Sequence, residues 1–439
     1  MMAKLNTTTP SGFLEFSPAQ QRIVQQWKKV IAEVFTKHGF PMIETPLVER
    51  TENFAAKGGD AKEIYVLDRL HSDSLDTESA KSRAIRFDHT VPLALFVARN
   101  FNDLAFPFRR SVIGPVMRGE RPQKGRFRQF DQCDIDVIGN ESLSLANDAQ
   151  MVVIIAEIFQ RLMPDQKFVI RINNRKIIQG IYSHCGITDL EKMKVVMNIM
   201  DDIEKIGQNK TWQRLKEEGL SDIKIDMIKK LSSANSLDEL DSLGVTSNVL
   251  YSEGFDELTN VLIALKGMRV DEDIYDCDFR IARGLDYYTG TVYETNLLND
   301  DGSINTSLGS ICSGGRYDDL AGVFTGKNLP GVGISIGLTR LLWQLFDAKI
   351  IEAKKTSTSD VIVLFRSPEL LSKAIEIGMK IRKKNIAVEN YFEPKKIQKQ
   401  LTYADKVGIP VRVIVGENDI VVENRGNLDE LKKEIEEIL

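Results

Sequence analysis

The sequence predicts an α+β protein: a largely antiparallel sheet flanked by helices, interrupted by a helical insertion and followed by a small α/β domain. Three observations predict it. Strand-like segments near 111–117, 128–138, 167–172, 276–283, 287–295 and 331–337 are irregularly spaced, with no alternating strand–helix rhythm. From about 175 to 270 the chain is rich in Lys, Glu and Asp and carries no strand cluster. After a polar linker at 351–359, which includes EAKKTSTS, strands and helices alternate. The expected division is a first domain over 1–350, interrupted at about 175–270, and a second over 360–439.

Each element has a local reason. Residues 17–38 form an amphipathic helix: Ser17 suits the N-cap, Pro18 the first helical position, and Gly39 the stop. Ile23, Trp27, Val30, Ile31, Val34 and Phe35 make its apolar stripe. In the second domain, strands are expected at 360–365, 386–391 and 411–415, and helices at 367–384, 395–407 and 428–438. Between 416 and 428 the sequence reads as a direct passage to the acidic end rather than as a strand.

Composition narrows the function classes. The 439 residues carry a net charge of −5 with 42% hydrophobic residues, which excludes a disordered or collagen-like chain. The longest apolar run, 151–156, is far shorter than the roughly 20 residues of a membrane helix. The start, MMAKLNTTTPSGFLEF, lacks an apolar core, so no signal or transit peptide is expected. Cys133, Cys185, Cys277 and Cys312 show no C-x-x-C spacing, and His38, His71, His89 and His184 show no i, i+4 pair. Zinc, a prosthetic group and any metal site built from protein ligands alone are therefore not expected, and a cytoplasmic location is.

The average charge hides local contrasts. Residues 109–128 hold seven basic side chains (Arg109, Arg110, Arg118, Arg121, Lys124, Arg126, Arg128) against the single acid Glu120. Residues 366–412 hold eleven basic against five acidic, and 413–439 three against eight. A polyanionic partner is compatible with this distribution. Within 118–131, Pro122 and Gly125 predict a tight loop between two strands carrying Arg118 and Glu120, then Arg126, Arg128 and Phe130. Guanidinium groups suit bidentate capture of phosphate, and Phe130 suits stacking on a flat base. A solvated basic hairpin has the same composition.

On the next strand, period-2 alternation places Gln132, Asp134 and Asp136 on one face and Cys133, Ile135 and Val137 on the other. Acids on a strand face mean either an exposed polar surface or a pocket for an NH-donating or cationic ligand. The runs RGLDYYTGTVYE (283–294) and SGGRYDDL (313–320) are glycine-rich, and neither matches a phosphate-binding P-loop. The run GVGISIGLTRLLWQL from 331 reads as a strand entering a helix, with Arg340 in the first turn.

In this order, these segments resemble the histidyl-tRNA synthetases, a class II aminoacyl-tRNA synthetase family, over nearly the whole chain. Residues 40–49, with Pro46, resemble the class II dimer-interface motif; 117–130 resemble the second class motif, and 333–341 the third. R-G-L-D-Y-Y at 283–288 and S-G-G-R-Y-D at 313–318 are similar to the two histidine-specific motifs; Asp88-His89-Thr90 and Gln132 to Asp136 complete the likeness.

The resemblance implies a class II catalytic sheet, a homodimer, and ligation of L-histidine to tRNA(His) through a histidyl-adenylate. ATP with Mg2+ is the implied co-substrate. It implies that Arg118 bridges the histidine carboxylate and α-phosphate, and that Arg283 stabilises the α-phosphate. Arg126 and Arg340 would hold the triphosphate, with Glu120 and Phe130 around the adenine. Asp88, Thr90 and Gln132 would hold the α-amino group, Asp136 and Tyr288 would read the imidazole, and Tyr287 and Tyr317 would line the pocket. Arg121 and Gln123 would approach the tRNA acceptor end. The second domain resembles an anticodon-binding domain, whose Lys395, Lys396 and Lys399 suit phosphate contact.

Two other classes compete. A non-catalytic histidine-binding paralogue that regulates the phosphoribosyltransferase of histidine biosynthesis would lack the second domain and the arginine motif. A structural RNA-binding protein using the basic loop alone would leave Asp136 and the paired tyrosines without a task. Histidine-dependent exchange between pyrophosphate and ATP separates the first rival from an enzyme.

Overall fold

The computed structural model describes residues 7–55, 63–68, 82–281, 288–318 and 322–439. Two compact units emerge: one from Met1–Leu14 with Trp27–Gln344, the other from Glu15–Gln26 with Leu345–Leu439.

The first unit is built on two sheets. Strands β1 (Val48–Arg50), β2 (Val66–Leu67) and β3 (Arg83–Ile85) form a small antiparallel sheet in the order β1-β3-β2. The main sheet comprises β4 (Phe108–Met117), β5 (Gln129–Ile138), β6 (Phe168–Asn174), β7 (Tyr275–Cys277), β8 (Thr291–Leu297), β9 (Ser310–Tyr317) and β10 (Gly331–Gly337). Its order is β4-β5-β10-β9-β8-β6-β7, antiparallel throughout except for the β6–β7 pair. The antiparallel character follows the missing strand–helix rhythm. Seven helices, from Arg175–His184 to Val249–Gly267, lie between β6 and β7 in the chain.

Alternation along the strands creates two faces. In the β5–β10 register Val137 opposes Val332, and Val332 opposes Arg316 on β9. This face meets the helix Ala146–Leu162, where the buried Arg316 Nε donates to Asp148 Oδ1 at 3.0 Å and Tyr293 donates to the Asp148 carbonyl at 2.9 Å. The other face carries Gln132, Asp134 and Asp136 opposite Gly337, Ser335 and Gly333. The helix Thr90–Asn100 packs at the β4–β5 end, with Leu93, Ala94 and Val97 against Phe108, Ile138 and Tyr317.

The helix Pro18–Lys37 starts as its sequence directs. Ser17 and Gln20 exchange reciprocal bonds, Gln20 N to Ser17 Oγ at 3.4 Å and Ser17 N to Gln20 Oε1 at 3.0 Å, a capping box. Its buried stripe includes Val24 beside the expected Ile23, Trp27, Ile31, Val34 and Phe35, with Val30 half-buried.

The second unit has a four-stranded sheet of β11 (Val361–Phe365), β12 (Val388–Asn390), β13 (Val411–Val415) and β14 (Ile420–Asn424), in the order β12-β11-β13-β14. Strand β11 pairs in parallel with β12 and β13, and β14 closes an antiparallel hairpin. Helices Leu371–Lys383 and Asp429–Ile438 share a core with Val363, Phe365 and Val413; Ala404 of the helix Ile397–Val407 packs with Ile362, Leu364 and Ile414. Because both faces are covered, β11 and β13 are buried throughout, and apolar except for Arg412, which pairs with Asp405. Gln400, fully buried, brackets the end of β11, accepting from Phe365 N at 3.1 Å and donating to its carbonyl at 2.8 Å.

The glycine-rich run at 313–320, given no element from sequence, begins within the central strand β9, where neighbouring groups cross close above Gly314 and Gly315. Other readings change. The tail does not run directly to the last helix: 420–424 pairs with β13, completing a hairpin edge. Among the described residues, the segment expected at 276–283 contributes Tyr275–Cys277 to the sheet, and the strand expected at 287–295 is Thr291–Leu297; residues 282–287 lie outside the described residues. A Cβ added at Gly333 would lie 2.3 Å from Asp136 Oδ1 and 2.6 Å from the Ile135 carbonyl, whereas one at Gly337 would meet nothing within 4 Å. Gly333→Ala is therefore expected to lower unfolding free energy by about 1–3 kcal/mol, and Gly337→Ala to change it by less than about 0.5 kcal/mol. Denaturant unfolding of the two variants side by side checks this.

Candidate active site

A cavity of about 560 Å³ opens on the acidic face of the main sheet. Its two ends have opposite chemistry.

The basic end comes from the β4–β5 hairpin and the helix Leu338–Asp347. Gln123 and Arg126 exchange backbone bonds at 2.9 and 3.3 Å, so the loop turns tightly, and Gly125 adopts φ +73°. Arg118 and Arg126, on either side of this loop, line the cavity with Glu120 between them, 3.8 Å from each guanidinium. Arg118 Nε donates to the Phe87 carbonyl at 3.0 Å, and its guanidinium lies 5.3 Å from the centre of the Phe130 ring. Arg340 reaches the same cavity from the first turn of its helix. Thr339 fixes that turn to β5 by accepting from Asp131 N at 2.9 Å.

The remaining basic residues of 109–128 do other work. Arg109 donates to Gln150 and Asn147; Arg110 pairs with Asp136; Arg128 Nε donates to the Glu120 carbonyl. Charge density along the chain therefore overstated the number of cations facing a ligand. Arg121 and Gln123 are exposed outside the main cavity, and Gln123 borders a shallower depression with Gly12, Phe13 and Leu14.

The acidic end is deeper. Asp88 Oδ1 accepts from the backbone N–H of Thr90 and Val91, both at 3.1 Å, which fixes it at the start of the helix Thr90–Asn100. Asp88, Thr90, Gln132, Asp134 and Tyr288 line the cavity. Gln132 Nε2 donates to Ser335 Oγ at 3.1 Å, and Ser335 in turn bonds Asp134. Burial pushes the Asp134 carboxyl up to about 7, against the opposing pull of Arg110. Burial also raises Asp136 and the Tyr288 hydroxyl. His89, buried behind this wall, is held down to about 3 by burial and then by Arg110 and Arg86; its Nε2 lies 3.1 Å from the Gly114 carbonyl.

Asp136 and Tyr317 do not line the cavity. Tyr317 donates to Asp136 Oδ1 at 2.9 Å, and Arg110 Nη2 lies 3.1 Å from Asp136 Oδ2. The cavity thus gathers Asp88, Thr90, Arg118, Glu120, Arg126, Phe130, Gln132, Tyr288 and Arg340, with Asp136 and Tyr317 bonded together in its supporting layer. Arg283 and Tyr287 lie outside the described residues. Sequence reasoning assigned no role to Asp134, Ser313, Ser335 or Gln344, which also line the cavity. For Asp134 the signal existed, since it shares the face of Gln132 and Asp136; Ser313 and Ser335 became recognisable only once β9 and β10 were paired across it.

Comparisons with known proteins agree along the chain. The family model for histidyl-tRNA synthetase matches residues 12–341, and that for an anticodon binding domain matches 360–439. A histidine–tRNA ligase of Clostridium tetani is 44% identical, over 93% of this chain and 90% of that protein. One from Nostoc punctiforme is 42% identical, over 98% and 94%. The crystal structure of histidyl-tRNA synthetase from a Nostoc species matches with a TM-score of 0.86 and 38% identity, covering 99% of this chain and 100% of that one.

The Asp134 shift predicts a pH dependence. Asp134 holds its proton up to about pH 7 when folded, above its ordinary value of 3.8. Between those values the folded protein binds more protons than the unfolded chain, so this group makes stability fall as pH rises, by at most about 1.4 kcal/mol per unit. Asp134→Asn is expected to flatten that fall in denaturant titrations between about pH 5 and 7.

Proposed function

The chain belongs to the histidyl-tRNA synthetase family, and from that premise we propose how its cavity performs the two steps of histidine–tRNA ligation. In the first, a carboxylate oxygen of histidine attacks the α-phosphorus of ATP and pyrophosphate leaves. In the second, a ribose hydroxyl of the terminal adenosine of tRNA(His) attacks the activated carbonyl and AMP leaves. One observation carries the reading: a single cavity holds arginines at one end and buried hydrogen-bond acceptors at the other.

Attack on the α-phosphorus concentrates negative charge, so positioning and electrostatics dominate. Arg118 bridges the substrate carboxylate and α-phosphate, and Arg283 stabilises the same phosphate. Arg126 and Arg340 hold the triphosphate, whose Mg2+ arrives with the nucleotide, and Glu120 and Phe130 border the adenine. The Glu120 contacts at 3.8 Å are loose, so phosphate oxygens can replace them. Asp88, Thr90 and Gln132 hold the α-amino group, while Tyr288 faces the imidazole and Tyr317 supports that end from the layer beneath; Tyr287, outside the described residues, is assigned to the same pocket. Asp136 belongs to the same reading as an imidazole partner, acting through Tyr317. Arg121 and Gln123, exposed at the hairpin tip, suit the tRNA acceptor end. In the second unit Lys395, Lys396 and Lys399 are exposed together beside Phe392, which suits contact with an RNA backbone. Convergence of Arg118, Arg126 and Arg340 disfavours a non-catalytic regulator, which has no use for a phosphate cradle.

Histidine alone among the amino acids is expected to stimulate exchange of pyrophosphate into ATP. Arg118→Ala and Arg283→Ala are each expected to lower the single-turnover adenylation rate by about 10²–10³, with a smaller change in histidine affinity. Near-normal rates in both variants would refute the assignment. We extend the reading to a cytoplasmic homodimer through 40–49, where Met42 and Leu47 are exposed apolar residues. Sedimentation at micromolar concentration is expected to give twice the chain mass, and a fully active monomer would exclude it.

A further inference from the structure

The hairpin loop between β4 and β5 is seated from two sides. One seat is the helix Leu338–Asp347, where the Phe127 ring meets the Trp343 indole edge to face, with centroids 5.8 Å apart and planes at 71°. Lys124 Nζ lies 5.9 Å from the centre of the same indole. Between these two contacts Gly125, buried and at φ +73°, brings the backbone into the same neighbourhood: an added Cβ would lie 3.6 Å from Trp343 and from Gln344. Gln344 is itself fixed, donating through Nε2 to the Leu308 carbonyl at 3.0 Å.

The other seat is the segment 11–13. The Gly12 carbonyl accepts from Arg128 N at 2.8 Å, an added Cβ at Gly12 would meet Pro122 and Arg128 at 2.9 Å, and Phe13 bridges to Gln129. Segment 11–13 thus holds the two roots of the loop, while its tip rests on Trp343. The tip needs that support, because Arg121, Gln123, Lys124 and Arg126 are all exposed and bury little of their own. Arg126 stands between Gly125 and Phe127, the residues that pack toward the indole. Its guanidinium lines the cavity, whereas Trp343 is half-buried behind the loop and outside that lining.

Resting on the reading of this cavity's basic end as an ATP site, we propose that Trp343 is a positioning residue for ATP: it touches no substrate, but by seating Phe127 and Lys124 it sets where the loop presents Arg126. The residue type fits the task. An indole is large and rigid, and it accepts both the edge of a second ring and a cation. A leucine there would fill part of the volume and offer neither contact. Histidine, bound at the opposite end of the cavity, does not depend on this seat.

Histidine-dependent pyrophosphate exchange by the full-length protein gives the KM for ATP and for histidine. Trp343→Leu is expected to raise the ATP KM by about 3–10-fold, as for loss of an aromatic pair and a surface cation–π contact. The histidine KM is expected to stay within about twofold. Trp343→Phe, which keeps a ring opposite Phe127, is expected to recover most of the loss. Phe127→Leu breaks the same contact from the loop side, so a poorly folding Trp343 variant does not end the test; it is expected to raise the ATP KM to a similar extent. The double variant Trp343→Leu with Phe127→Leu is expected to be little worse than either single change, because both remove one contact. Strictly additive losses would overturn the proposal, as would an equal rise in both KM values. An ATP KM unmoved in folded Trp343→Leu or in Phe127→Leu would also overturn it, reducing Trp343 to a packing residue while leaving the synthetase reading intact. A wild-type protein whose exchange histidine does not stimulate would instead remove the reading on which the proposal rests.

Discussion

A carboxylate can be buried on a sheet only if its charge and lone pairs are answered, and the contact of Arg110 and Tyr317 with Asp136 is the answer on which this active face rests. The triad joins β4, β5 and β9 across the intervening β10. It also dictates composition far from itself in sequence. Gly333 is free of side chain because Asp136 crosses it, Gly331 because the Tyr317 ring crosses it, and Gly315 because Tyr288 does. Gly315 of β9 and Gly331 and Gly333 of β10 thus carry the imprint of three polar side chains laid across them.

The same constraint divides the cavity. Near the mouth, arginines remain partly hydrated and loosely bridged by Glu120, so their charge is available to an anion that displaces it. At the other end lie Asp88, Gln132, Asp134 and Tyr288, a lining that suits a small cationic or NH-rich group. Reactants that differ in charge are thereby oriented before any bond forms, and the join between the two environments falls beside Arg118, Gln132 and Asp88. The opposite face of the sheet is held by a second buried pair, Arg316 with Asp148, so that the active face is backed by a fixed helix. An Arg within the S-G-G-R-Y-D run consequently serves the scaffold, while its neighbour Tyr317 serves the site.

Much of this was readable from the chain. The amphipathic stripe and capping box of 17–37, the tight turn at 123–126, and the β-branched strands at 361–365 and 411–415 are local, because each depends on residues within a few positions. Period-2 alternation put Gln132, Asp134 and Asp136 on one face, and the resemblance named nine of the residues that line the cavity. Less readable were β9 and β14. The Ser and Gly of β9 carry little strand propensity, and in β14 the β-branched run 420–422 is only three residues long, so pairing with β13 is what defines it.

What the sequence determined by itself is the set of elements, the strand faces and the chemical types available on each, since these follow from periodicity and side-chain identity. What only the tertiary structure decided is how those types are spent. Seven basic residues within twenty positions look equivalent along the chain, yet two face the cavity while Arg110 is consumed beneath it. Asp134 and Asp136 look equivalent on their strand, yet Asp136 meets Tyr317 and Arg110 while Asp134 keeps one buried oxygen without a hydrogen-bond partner. The reason is that a hydrogen bond or ion pair joins particular atoms within about 3 Å, and that proximity is created by strand order and register across residues as far apart as 136 and 317.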